Sequence, residues 1–183
     1  MIEGAIAGVV TTTLTEGVRF LYQQAQELIS SWRRGRTAET TGTPPEGVFL
    51  GELRLVPDDP SVLDEHADAF VALLSTPGLV RVHVGESVDP EDEDQLRAVA
   101  ELRALLERVS GRRITFAGEP GREPSGTTVV RGTATADVVH GRQAGVAADE
   151  IGAGADVTGE SSAKDVGPGG ESYGVRARRI GGR

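Results

Sequence analysis

From Leu14 onward the apolar residues fall at Leu14, Val18, Leu21, Ala25, Leu28 and Trp32, a spacing of 4, 3, 4, 3, 4. That is the period of an α-helix with one face laid against another helix, and it predicts a helix over Ile2 to Trp32. Ahead of Leu14 the polarity changes, because every residue from Gly4 to Leu14 is apolar, Gly or Thr, with Gly4 and Gly8 four apart. Small residues at that spacing let helices approach closely. Ile2, Gly4, Ile6, Gly8, Val9, Val10 and Leu14 are therefore the expected surface for helix packing or for entry into a membrane. The uncharged run is shorter than the roughly 20 residues of a spanning helix, and Glu16 and Arg19 interrupt it. Arg33, Arg34 and Arg36 follow, where they suit the negative end of the helix dipole and anionic lipid alike.

Residues 37–47 (TAETTGTPPEG) neither continue a helix nor build a core, and read as a linker. Val48 to Val56 reads as a strand with Phe49, Leu53 and Leu55 on one face. Ser61 can cap a helix over Val62 to Ser75 that turns Leu63, Ala67, Phe70, Val71 and Leu74 inward, with Thr76-Pro77-Gly78 as its stop. Leu79 to Val84 alternates Val80, Val82 and Val84 with Arg81 and His83, the pattern of a half-buried strand. A further helix over Glu91 to Val109 carries Leu96, Val99, Leu102, Leu106 and Val109 along one stripe and ends at Gly111. Arg113 to Gly118 supplies a short closing strand. Strand, helix, strand, helix, strand implies a small α/β unit with the N-terminal helix against it; were Leu79 to Val84 helical, the first 110 residues would be a helical bundle.

After the Pro- and Gly-rich stretch 118–126 no helical stripe remains, and residues 125–183 hold 13 of the 25 glycines. The octad GVAADEIG (Gly145 to Gly152) returns as GVRARRIG (Gly174 to Gly181) 29 residues later, with Asp149 and Glu150 replaced by Arg178 and Arg179. Asp137-Val138 and Asp165-Val166 precede the two octads by eight and nine residues, so the longer frame aligns with one inserted residue, and Asp156-Val157-Thr158-Gly159 begins a partial middle copy. Repetition of this kind implies stacked equivalent layers, either a β-solenoid or an intermolecular cross-β array. Opposite charges would then lie above one another. The competing expectation is a disordered Gly-rich tail whose two octads resemble each other by coincidence. The expected self-assembly positions are Val138, Gly145, Val146, Ile151, Val157, Val166, Gly174, Val175 and Ile180.

The expected chain is thus α+β: a partly hydrophobic N-terminal helix (1–36), a linker (37–47), a small α/β module (48–117), a second linker (118–126) and a Gly-rich repeat tail (127–183) that is β-solenoid or cross-β-prone. Charge sharpens this division. Residues 1–36 carry four Arg and three Glu, residues 37–124 eight Arg and eighteen acids, and residues 125–183 seven groups of each sign. The acidic middle repels phosphate backbones, which argues against nucleic acid as a partner, whereas the neutral tail lacks the repulsion that opposes self-association. The absence of cysteine fits a reducing cytoplasm and removes thiolate chemistry. Seven aromatics in 183 residues favour a small core with extensions over one large core.

Candidate chemistry is sparse. His66, His83 and His140 lie in three separate segments and form no metal-ligand frame. His66 sits among acids in DEHAD, and the run Asp89 to Asp94 lacks the ligand alternation of a calcium loop while suiting the positive end of a helix. No phosphate loop, complete dinucleotide fingerprint or nucleophile elbow occurs. The expectation is a protein without catalytic, cofactor or metal residues.

Val138 to Gly154 (VVHGRQAGVAADEIGAG) resembles the bacterial amyloid signalling motifs, distant relatives of the RHIM type, found in actinobacterial cell-death proteins and their NLR-like partners. The layout of hydrophobic helix, small domain and such a tail is similar to that of Bell-domain effectors. Two features depart from these families: Gln143 is followed by Ala144-Gly145-Val146 rather than a Val-Gln-Val-Gly core, and the mixed middle module differs from their helical domains. The resemblance implies a non-enzymatic effector or adaptor of regulated cell death or phage defence, a homo-oligomer through its tail, with an NLR-like partner bearing a matching motif. It further implies a cytoplasmic protein that moves to the inner face of the membrane on activation. The other expectation is a structural or scaffolding module whose tail folds within one chain.

Overall fold

The computed structural model describes residues 9–35, 42–53, 55–57, 61–152 and 155–182. Among the described residues, four helices and two small parallel sheets make a mixed α+β architecture. It divides into two units, Met1–Gly126 and Thr127–Arg183.

The helical unit is built around α1 (Thr11–Arg33), which packs against α2 (Ser61–Leu74), α3 (Pro77–His83) and α4 (Glu93–Ser110). Leu14, Val18, Leu21, Ala25 and Leu28 are buried as the 4-3 spacing requires, but so are Phe20, Tyr22, Gln24 and Ile29. A helix buried on that many sides is the centre of its unit rather than a stripe laid on a finished module. Polar ties fix its neighbours: Arg19 Nε donates to the Val82 carbonyl at 2.9 Å and the Tyr22 hydroxyl to the Leu74 carbonyl at 2.7 Å. Thr15 Oγ1 accepts from the Val88 amide at 3.0 Å. Gly17 is a close-approach residue, since a Cβ there would meet Phe116 Cδ1 at 2.8 Å and Val48 Cγ1 at 3.0 Å.

Residues 79–84 correct the sequence reading. They belong to α3 and its C-cap, so the first unit is helical in the way the bundle alternative described. Pro77 stands at the start of that helix, where its missing N–H costs nothing and its fixed φ suits the first turn; the Thr76-Pro77-Gly78 stop is also a start. Helix α4 follows its expected stripe, capped by Asp92, whose side chain accepts from the Gln95 amide, and ended by Gly111 at φ 63°.

Val48 to Val56 and Arg113 to Gly118, both expected as strands, are joined among the described residues by one isolated antiparallel bridge, Phe49 with Phe116, while a second bridge ties Gly51 to Ser125 in the segment that follows. Gly51 at φ 87° turns the chain out of the extended conformation that a strand needs. Segment 118–126, expected as a linker, is bonded into this unit: the Ser125 amide donates to the Leu50 carbonyl at 2.6 Å and the Gly126 amide to the Arg113 carbonyl at 3.0 Å.

The second unit holds β1 (Val129–Val139), β2 (Arg142–Gly152), β3 (Asp156–Val166) and β4 (Glu171–Gly182). Each strand pairs in parallel with the next but one, β1 with β3 and β2 with β4, giving two two-stranded sheets. Consecutive strands therefore lie in different sheets, joined by the turn His140–Gly141 in the first copy and Gly167–Gly170 in the second.

Candidate self-assembly site

Register explains the repeated octad. Val146 pairs with Val175, Ala148 with Ala177, Glu150 with Arg179 and Ile151 with Ile180, so the copies that match in sequence are the segments that share a ladder. The upstream arms pair as well, Val130 with Val157, Gly132 with Gly159 and Val139 with Val166. The offset is 27 residues along β1 and β3 and 29 along β2 and β4 as far as Ile151 and Ile180, after which a bulge sets Gly152 opposite Gly182. The difference is absorbed by the second turn, which is two residues longer and carries Gly169 at φ 79°. It is anchored on the first copy, with the Gly167 amide donating to the Val139 carbonyl at 3.0 Å and the Glu171 amide to the Gly141 carbonyl at 2.7 Å.

This register corrects two details of the sequence alignment. Asp165-Val166 lies opposite Val138-Val139 rather than Asp137-Val138, and the insertion is two residues within the turn. Asp156-Val157-Thr158-Gly159 is no middle layer but the first arm of the second copy, opposite Val129 to Gly132.

Glycine recurs in the frame because the two sheets touch backbone to backbone. A Cβ on Gly132 would collide with the Gly145 carbonyl and come within 2.9 Å of Val146 Cγ2. Gly159 stands in the same relation to the Gly174 carbonyl and to Val175 Cγ2, the latter at 3.0 Å. Each copy thus seats one valine over the glycine of the facing arm. Ala134, Ala136, Ala148, Ala163 and Ala177 continue the half-buried interior, so the two sheets can approach closely where larger side chains would hold them apart.

The sequence-derived positions separate accordingly. Val146 is buried, Val157 and Val175 are half-buried, and Gly145 and Gly174 form the close approach. Ile151 and Ile180 hold partnered backbone positions. Val138 and Val166 are about half exposed, and the interior position next to the first turn belongs instead to Val139. Gly132, Gly159 and Val139 were not among the expected assembly positions, although Gly159 stood in the partial copy; the recurrence of glycine 27 residues apart at 132 and 159 was the signal available for the two glycines. Of the N-terminal set, Ile2, Gly4, Ile6 and Gly8 lie outside the described residues. Val9 packs against the helical core, Val10 is exposed and Leu14 is buried.

Charged side chains bind one copy to the other. Arg142 Nε donates to Glu171 Oε2 at 2.7 Å, and Lys164 Nζ stands 2.6 Å from Asp137 Oδ1. The Arg142 guanidinium beside Glu171 holds that carboxyl below its ordinary 4.5, helped by Tyr173 and the Arg176 charge against a smaller opposing effect of burial. Gln143 Nε2 donates to the Ser162 carbonyl at 3.2 Å, and the Ser161 and Ser172 hydroxyls share a hydrogen bond of 2.6 Å.

In the helical unit the chemistry-bearing groups serve structure. Asp92 caps α4, Asp94 pairs with Arg97 at 2.6 Å and Asp89 Oδ1 accepts from the Glu91 amide at 2.9 Å. His83 stacks on Tyr22, with ring centroids 4.5 Å apart. Arg103 and Glu119, both buried, bond at 2.7 Å, and Glu107 receives Arg122 at 2.5 Å and the Ile114 amide at 2.8 Å. These pairs tie α4 to the loop after it; Arg103 and Glu107 sit four apart beside the apolar stripe of α4, a signal the sequence reading passed over. A cleft of about 500 Å³ between α2 and α4 is lined by Ala69, Ala72, Leu73, Ala104 and Leu105, with Glu101 and Arg108 at its side. Among the described residues no three His, Asp or Glu side chains are grouped to hold a metal ion, and no helix is long and apolar enough to cross a membrane. No protein-family model, no curated protein and no solved structure matches the chain.

Proposed function

We propose that this chain is a non-enzymatic effector or adaptor of regulated cell death or phage defence, switched on by amyloid-like templating of residues 127–183. In this reading the paired sheets are two rungs of a β-solenoid. A partner with a matching motif, of the NLR-like type, supplies the first template, and the chain then recruits copies of itself. Clustering concentrates the N-terminal segment Ile2 to Leu14 at the inner face of the membrane, where its apolar residues disturb the bilayer. Leu14 is packed in the helical unit, so this last step requires the start of α1 to leave its dock.

One observation carries the reading: the two octads, alike at five of their eight positions, lie in parallel register from Val146 on Val175 to Ile151 on Ile180, the frame slipping by one residue only at the closing glycine, where Gly152 meets Gly182. Identical segments stacked in register are the unit from which cross-β assemblies are made. The test is to concentrate the full chain with and without preformed seeds, following thioflavin fluorescence and fibre diffraction. Seeded growth with a reflection at about 4.7–4.8 Å, and dye leakage from anionic vesicles only in the seeded sample, are the expected results. A chain that stays monomeric at every concentration sinks the reading.

A second reading is a scaffolding module whose tail is complete as a single-chain solenoid. It is favoured by the fact that all four strands find a parallel partner within one molecule. Dilution separates the two, since an intramolecular fold keeps its β-type circular dichroism at low concentration whereas a templated assembly loses it.

A further inference from the structure

The two layers of the repeat unit are alike in shape and opposite in charge. Gly132, Gly145 and Val146 in the first layer are matched by Gly159, Gly174 and Val175 in the second. Their ionic positions are reversed. Asp137 faces Lys164, Arg142 faces Glu171, and the register sets Glu150 opposite Arg179. Within the unit each strand pairs along one edge only, so the outer edges of β1 and β2, and of β3 and β4, carry unpaired backbone groups that invite another strand.

The outer edge of β3 and β4 presents the chemistry complementary to β1 and β2, because that is the pairing its inner edge already makes. We propose that copies of this chain join head to tail through these edges, β1 and β2 of one copy pairing on β3 and β4 of the next, with the sign of charge alternating from layer to layer. The proposal rests on the templating reading above and adds the partner, the register and the polarity of growth. Stacking first layer on first layer would satisfy the same glycine and valine positions, yet it would oppose carboxylate to carboxylate at Asp137 and guanidinium to guanidinium at Arg142. Like charges directly opposite destabilise a ladder, and opposite charges support it. Head-to-tail contact joins two different faces and does not close, so each addition leaves the same edge free for the next copy.

The experiment uses two full-length chains, the natural one and a fourfold variant carrying Asp137→Lys, Arg142→Glu, Lys164→Asp and Glu171→Arg. Inside the variant every pair is still opposite in sign, so it should assemble and seed itself. At a junction between variant and natural chain, cation meets cation and carboxylate meets carboxylate. Natural seeds should therefore shorten the variant's lag at least about tenfold less effectively than its own seeds do. The difference should fade near 1 M salt, where the Debye length falls to about 3 Å. Equal seeding of both chains by natural seeds overturns the proposal while leaving templated assembly intact; a natural chain that never assembles takes both down. Diffraction from oriented natural assemblies tests the same order without any variant: alternating layers require an axial repeat of about 9.5 Å, twice the strand spacing, and a single-layer repeat alone overturns it.

Discussion

The carbonyl of Gly145 occupies the space into which a side chain on Gly132 would project. The same relation joins Gly174 to Gly159 in the second copy, so each layer brings its two arms together at a glycine pair. Gly132→Val or Gly145→Val should therefore force the sheets apart. The expected loss is at least about 1–3 kcal/mol, the usual cost of overpacking, and more where backbone must move. Hydrogen-exchange protection of the amides in 129–152 and 156–182 reads it directly. Gly141→Ala is the control, because a Cβ at that turn position meets nothing within 4 Å, and protection should persist.

The glycine frame made the layers legible in advance: a backbone contact that excludes Cβ leaves its mark at both copies, and Gly145 and Gly174 could be read off the sequence with Val146 and Val175 beside them. Of the charge exchanges between the octads, the register sets Glu150 opposite Arg179 on the backbone ladder. The arms before the turn were misaligned by one residue, because a two-residue difference in turn length leaves no trace in composition when both turns are rich in Gly. The strand expected at 79–84 failed on a short apolar run, where alternation over six residues and a single helical turn are hard to tell apart. Val48 to Val56 has the residues of a strand, but among the described residues no neighbouring strand pairs with it beyond the bridges at Phe49 and Gly51. The ion pairs of Arg103, Glu107, Glu119 and Arg122 depend on segments brought together only by the fold.

Acid should loosen the join between the two copies. Glu171 is depressed below 4.5 by Arg142, so its contribution is present at neutral pH and is lost as pH falls through the lowered folded value. The side chain is exposed, which makes the effect small and dependent on salt. Protease resistance of residues 127–183, measured from pH 6 down to about pH 3, should decline toward the acid end. Glu171→Gln should flatten that decline, and an unchanged profile in the variant would remove Glu171 from the account.

Glu119 is the more costly carboxylate to disturb. It is almost wholly buried, bonded at 2.7 Å to the equally buried Arg103, and its second oxygen accepts from the Phe116 amide at 3.2 Å. Glu119→Ala takes a buried carboxylate from both Arg103 and Arg122 and frees the Phe116 amide. Breaking a buried pair from one side costs about 3–5 kcal/mol. Urea unfolding followed at the helical band should show that loss in the helical unit, whereas Arg97→Ala, which removes an exposed pair with Asp94, should change stability by less than about 1 kcal/mol.

Val82 and Val84 decide between helix and strand at the position where sequence pattern misled. In a strand, residues two apart share a face, and truncating either would cost about the same. In α3 they point apart: Val82 is fully buried beneath α1, with its carbonyl held by Arg19, and Val84 is 72% exposed. Val82→Ala removes two buried methyl groups and should cost about 1–3 kcal/mol once the residual cavity is included. Val84→Ala should stay within about 0.5 kcal/mol of the natural chain. Equal losses in thermal or urea unfolding would restore the alternating strand and with it a different packing for the whole first unit.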